Sequence, residues 1–155
     1  MLKLTTFILT FSYPSMKAIP FFLFVLLSYS TYSQQTATLD QSLSKAKEQH
    51  KKVLFFFSGS DWCSPCVRFK KNYIDNPNFK EFASTNLILF NADFPKLKKN
   101  AISKEQTAEN EKLAEKYNPK GIFPLIILLN ENGTVLKKWE KLPTETIDEF
   151  INQLK

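Results

Sequence analysis

The chain has 155 residues, 43% of them hydrophobic, and 21 Lys and Arg against 15 Asp and Glu for a formal charge of +6. That length and apolar content suffice for one packed domain and exclude a disordered chain. The charges are scattered, with no polybasic block interleaved with aromatics, which excludes a nucleic-acid groove as the basis of function.

Residues 1–33 differ from the rest in containing no acid, and "MKAIPFFLFVLLSYSTYSQQ" reads as an export signal. Lys17 supplies the positive start, Ala18 to Leu27 the apolar stretch, and Thr31 to Ser33 a small-residue cleavage site. Cleavage is expected near Ser33, with a mature domain over 34–155 in the periplasm or outside the cell. Met16 stands directly before Lys17, so residues 1–15 read as an upstream start. The competing reading is a membrane anchor, against which the run from Ile19 to Leu27 falls short of the ~20 residues that span a bilayer. Removing the signal takes Lys3 and Lys17 and no acid, leaving a charge of +4.

Within the expected domain, "DQSLSKAKEQHK" has the pattern of a short amphipathic helix. Val53 to Phe57 is a continuous apolar run of strand formers between Lys51-Lys52 and Ser58-Gly59-Ser60, which predicts a central strand covered on both faces. The spacing of Cys66, Phe69 and Tyr73 predicts a helix that begins around the two cysteines. "NPNFKEFAS" predicts a helix after the Asn76-Pro77 break, and "NLILFNADF" a second buried strand ending near Asp93. Pro95 to Gln106, rich in lysine, reads as a long exposed loop, solvated or a docking surface for an acidic partner.

"AENEKLAEKYN" is a helix with Leu113, Ala114 and Tyr117 on its apolar side. "PLIILL" and "TVLKKW" flank "NENG", which predicts an antiparallel hairpin. "PTETIDEFINQL" predicts a last helix, with Thr144 as its N-cap and Ile147, Phe150, Ile151 and Leu154 on one face. The order α, β, α, α, β, α, β, β, α, without repeat or second domain, predicts an α/β fold: a mixed central sheet, an antiparallel C-terminal hairpin, and helices on both faces.

The chemistry concentrates in "VLFFFSGSDWCSPCVRFKKNYI", which holds both cysteines. Cys63-X-X-Cys66 at a helix start exposes the first sulfur to unpaired backbone N–H groups and favours its thiolate, the attacking species. Pro65 suits the first turn, where no N–H is missed. Cys66, one turn further in, is expected to be more buried and to act as the resolving thiol. A purely structural staple is the bland alternative, but closing so short a loop removes little chain entropy. Half of a zinc site is another, but no second cysteine pair exists and His50 stands outside any ligand cluster. Neither metal nor cofactor is expected.

"SGSDWCSPCVRF" after an apolar strand resembles the active-site segment of thioredoxin-fold proteins, and "NEKLAEKYNPKGIFPLIILLNENGTVL" is similar to that family's cis-proline and hairpin region. The "SDWC" form, "DNPNF" and the export signal look most like exported members akin to the C-terminal domain of the transmembrane disulfide reductase. The resemblance implies a thioredoxin-like fold and a thiol-disulfide oxidoreductase acting on protein disulfides, with Cys63 and Cys66 catalytic. It implies that Pro124 is a cis-proline beside the cysteine pair, that Phe123 offers backbone to an incoming peptide, and that Trp62 belongs to the substrate site. It further implies a membrane partner that returns electrons and points to reduction, with disulfide oxidation or isomerisation as the alternative direction. A binding module on the same fold is a further alternative.

Two departures bear on mechanism. The family's buried acid, six residues before the first cysteine, is here Phe57, and the lysine that often accompanies it on the neighbouring strand is replaced by Leu89. Proton transfer must then use water, Asp61 or another group, Asp61 also reading as a solvated turn residue. Leu125 stands after the proline where the family often has Thr, which implies a more apolar groove.

Overall fold

In the computed structural model, which describes residues 38–155, the strand Lys52–Ser58 (β1) runs inside a four-stranded sheet of order β2-β1-β3-β4. Leu87–Asp93 (β2) pairs with it in parallel on one side, and Leu125–Leu129 (β3) antiparallel on the other. Val135–Trp139 (β4) pairs antiparallel with β3 and closes the hairpin. The expected export segment, residues 1–33, lies outside the described residues.

Strand side chains alternate between faces, so the apolar run of β1 feeds two cores. Leu54 and Phe56 join Ile126 and Leu128 under Ser64–Phe69 (α2), Pro77–Asn86 (α3) and Ile147–Leu154 (α5). Val53, Phe55 and Phe57 join Phe90, Ala92, Ile127 and Leu129 against Leu39–Gln49 (α1) and Lys104–Tyr117 (α4). The order of elements and the helices on both faces are those expected from the sequence. Among the described residues, no helix is long and apolar enough to cross a membrane.

Each helix start has its cap. Thr38 and Gln41 form a capping box on α1, Asn76 Oδ1 accepts from Asn78 N at 2.9 Å on α3, and Ser103 Oγ accepts from Gln106 N at 3.1 Å on α4. His50, the single histidine of the chain, closes α1 in a left-handed conformation with φ 53°. The hairpin turns through a three-residue loop, Glu131 to Gly133: Gly133 takes φ 79°, and Asn130 Oδ1 accepts from Asn132 N and Thr134 N at 3.0 and 2.8 Å.

Four local expectations are corrected. The last helix starts two residues later than expected, capped by Thr146 instead of Thr144, because Glu149 at the third helical position returns the bond to Thr146 N at 2.9 Å. The segment Pro95 to Gln106 is not one long loop: it holds a 3₁₀ turn, Lys98–Asn100, and the first turn of α4. β2 is an edge strand, with Leu89 42% exposed, instead of a fully buried one. After α2 the chain widens into a π-helical turn, Lys70–Ile74, which the spacing of Phe69 and Tyr73 does not distinguish from regular helix.

That turn is anchored from below. The Tyr73 hydroxyl lies 2.9 Å from Pro143 O and 2.7 Å from Glu145 O, tying the helix behind the cysteines to the approach of α5. Phe150 of α5 fills the space beneath, its ring 4.9 Å from Tyr73, 5.4 Å from Trp139 and 6.1 Å from both Phe69 and Phe79. Phe150→Ala is expected to cost about 3–5 kcal/mol, read as a lower urea midpoint at unchanged slope.

Candidate active site

β1 delivers the chain to the site at Ser58, where it turns through Gly59 to Trp62. Cys63 N donates to Gly59 O at 2.9 Å, so the first cysteine stands at the end of the turn in extended conformation and caps α2. Cys66 N donates to Cys63 Sγ at 3.2 Å, the bond expected to favour negative charge on that sulfur. Pro65 occupies the first turn of α2. The two sulfurs are joined at 2.05 Å, with Cα atoms 5.2 Å apart. Cys66 is no more buried than Cys63, contrary to expectation: both are 4% exposed.

Trp62 lies flat on the turn because Gly59 has no side chain. A Cβ at residue 59 would fall 2.2 Å from Trp62 Cε2 and 2.5 Å from Nε1. The indole N–H donates to Phe94 O at 2.6 Å, the ring meets Phe123 edge-on at 5.2 Å, and Lys96 Nζ stands 4.2 Å above it. Through Phe123 the ring reaches the Phe123–Pro124 peptide, which is cis as the resemblance implies. Asn118, buried at 4%, shapes the approach to that peptide: its side chain accepts from Ile122 N and donates to Ile122 O, both at 2.8 Å. Leu125, the residue after the proline, is 2% exposed and packs into the α1–α4 core.

Asp61 is not simply a solvated turn residue. Its carboxylate accepts from Lys96 N and Leu97 N at 2.9 Å each and from Asn100 Nδ2 at 3.0 Å, clasping the loop beyond β2. The Lys96 N–H, aided by Leu97 and Asn100, holds the carboxyl below its usual range. Phe57 faces away from α2, 4.7 Å from the Phe55 ring and 6.4 Å from Phe94. Its register partner on β2 is Ala92, and Leu89, on the same neighbouring strand, pairs with Leu54.

A polar cluster that the sequence does not announce lies beside the turn. Ser58, the last residue of β1 and 7% exposed, has its hydroxyl 2.8 Å from Asp93 Oδ1 and 2.7 Å from Asn91 Oδ1. Asp93 also accepts from Ser60 N at 2.8 Å and Ser60 Oγ at 2.5 Å. The period-two pattern of β2 puts Asn91 and Asp93 on one face, but only the parallel register sets them opposite Phe56 and Ser58. Beyond Asp93, a cleft of about 490 Å³ opens between Trp62, Phe123, Lys96, Ile102 and Glu111.

A sequence model described as a thioredoxin-like domain matches residues 39–155. The chain belongs to the thioredoxin-like family. It is 33% identical over 98 residues to the disulfide bond reductase DsbH of Chlamydia pneumoniae, a match covering 63% of this chain and 57% of that protein, so it spans somewhat over half of that relative's length. A solved structure of a DsbH oxidoreductase superposes with a TM-score of 0.68 at 27% identity, over 78% of this chain and 81% of the other. A disulphide isomerase from Xylella fastidiosa Temecula1 shares the fold, with a TM-score of 0.57 at 18% identity over 82% and 95% of the two chains.

In this thioredoxin-like domain, Gly59→Ala is expected to expel the Trp62 indole and break its bond to Phe94 O, at a cost of about 1–3 kcal/mol. Loss of the protected Trp62 indole N–H resonance, with that of the buried Trp139 retained, is the readout. The Asp61 clasp titrates in a defined direction. Its folded value is lowered, so its contribution is full above the ordinary carboxylate value of 3.8 and is lost as pH falls through the folded value. Asp61→Ala should lower the hydrogen-exchange protection factors of the Lys96 and Leu97 amides at pH 7 about tenfold or more, and acidification through the lowered folded value, below 3.8, should lower the same protection factors in the unchanged protein.

Proposed function

We propose that the protein is an exported thiol-disulfide oxidoreductase that reduces disulfides of protein substrates through Cys63 and Cys66. The observation that carries this reading is the Cys66 N–H directed at Cys63 Sγ from the first turn of α2, at the mouth of a strand whose other neighbour leads from the cis Phe123–Pro124 peptide. Its likeness to a protein named a disulfide bond reductase supports the same reading.

In the reducing cycle the Cys63 thiolate attacks one sulfur of the substrate disulfide, and the other leaves as thiolate. Cys66 loses its proton and attacks Cys63 Sγ, the mixed disulfide breaks, and the second substrate sulfur leaves with the electron pair. The Cys63–Cys66 bond is the product, and two electrons and two protons from a donor return it to the dithiol. Trp62 and Phe123 offer an apolar wall to the substrate, and the backbone beside Pro124 offers strand-like pairing to its peptide. For an exported protein the donor is a membrane partner that passes electrons from inside the cell. Export rests on the segment 1–33, with cleavage near Ser33 and the periplasm or cell exterior as destination.

Reduction of insulin by the purified protein with a dithiol donor tests the activity. Cys63→Ser should lower the rate at least a hundredfold, and Cys66→Ser should accumulate a mixed disulfide at Cys63. A wild-type protein without Cys63-dependent reduction would remove the catalytic reading. The potential of the pair separates reduction from oxidation: the expected value lies towards the thioredoxin end, about −270 mV, and one near −120 mV, roughly that of strong thiol oxidants, would reverse the direction.

A further inference from the structure

We infer that the Ser58–Asp93 pair takes the proton that Cys66 must lose, through a small cavity on which Cys66 opens. The inference rests on the proposed redox function and names the acceptor that Phe57 cannot provide. The cavity has a volume of about 180 Å³ and is lined by Phe56, Cys66, Val67 and Lys70 together with the polar groups of Ser58, Ser60 and Asn91, whereas Cys63 does not line it. It therefore belongs to the resolving cysteine. Within this largely apolar cavity Ser58, Ser60 and Asn91 supply the two to four polar partners that a water needs.

The connection runs through the sheet. Ser58 lies on the α2 face of β1, the face opposite Phe57, because side chains alternate along the strand. Its hydroxyl can accept a proton from the cavity while donating its own to Asp93 Oδ1, 2.8 Å away. Asp93 in turn lines the separate cleft beside Trp62 and Phe123. One carboxylate thus joins the cavity of the buried thiol to a cleft at the site. Asp93 is held in place by Ser60 and by Asn110, whose Nδ2 donates to Asp93 O at 2.8 Å.

In the resolving step the Cys66 thiol gives its proton through water to Ser58 Oγ, and the Ser58 proton passes to Asp93. The freed electron pair on Cys66 forms the bond to Cys63 Sγ, the bond between Cys63 and the substrate sulfur breaks, and its pair leaves on that sulfur. Asp93 then releases the proton into the cleft, where the departing thiolate takes it up.

The charged groups facing this path are Lys70, at the cavity and bonded to Asp75 at 2.7 Å, and Lys96 and Glu111, across the cleft from α4 and its leading loop. Because they also influence the acidity of the thiols, the test separates the two sulfur steps. Reduced protein is mixed with an aromatic disulfide whose thiolate absorbs: Cys63 attack releases one thiolate, and Cys66 attack releases the second. Asp93→Asn and Ser58→Ala should leave the first phase unchanged. Each should slow the second at least tenfold at pH 7 and move its pH dependence towards the free-thiol range, about 8.5. Asp93→Glu should restore the wild-type profile in large part.

A second phase with wild-type rate and pH profile in folded Ser58→Ala and Asp93→Asn proteins would overturn the inference. Should Asp93→Asn not fold, Ser58→Ala and Asp93→Glu decide it by the same profile. Absence of the first phase in the wild-type protein would instead refute the redox function itself.

Discussion

The structure depends on one strand being buried on both faces. Val53 to Phe57 place five apolar side chains in two cores, each worth about 1.5–3 kcal/mol relative to exposure. Among the described residues, no other strand is flanked by a parallel and an antiparallel neighbour, so β1 alone connects the α/β half of the fold to the hairpin. Its C-terminal end is thereby fixed from both sides and above and below. The turn beyond that end, Gly59 to Cys66, inherits the fixed position without a large core of its own.

The turn after β1, whose two cysteines are buried, is then held by a ring of contacts. Trp62 reaches Phe94 after β2 and Phe123 before β3, Asp61 clasps Lys96 and Leu97, and Ser60 binds Asp93. All three bind the cysteine turn to the end of β2 or to the cis-proline segment. The sulfurs are therefore positioned by the neighbours of β1 on both sides. The only atom of the turn that has to be missing for this is the Cβ of residue 59.

Much of this is legible in sequence where the physics is local. A five-residue apolar run, a cysteine pair before a helical pattern, and an Asn-Gly turn each declare themselves within a few residues, and the order of elements comes from them. The cis state of the Phe123–Pro124 bond comes from likeness to a family, not from the residues alone. The features that stay hidden depend on register or competition. Thr144 and Thr146 both suit an N-cap, and Glu149 decides between them by returning a bond that only the folded turn reveals. The roles of Asp61 and Asp93 depend on which strand or loop lies alongside, and it takes the parallel register to set Ala92, not Leu89, beside Phe57.

The same register explains why losing an acid at Phe57 need not disable the site. Phe57 belongs to the α1–α4 core, packed with Phe55 and Phe94, where a carboxylate would have to be desolvated among aromatic rings. The neighbouring position, Ser58, faces α2 and carries only a hydroxyl, a group that costs less to bury when bonded. The charge itself sits at Asp93, half-exposed at the end of an edge strand and supplied with hydrogen bonds from Ser60. Placing the carboxylate one strand outward keeps ionisable chemistry within one hydroxyl of the cavity beside Cys66 and keeps charge out of the aromatic cluster around Phe57.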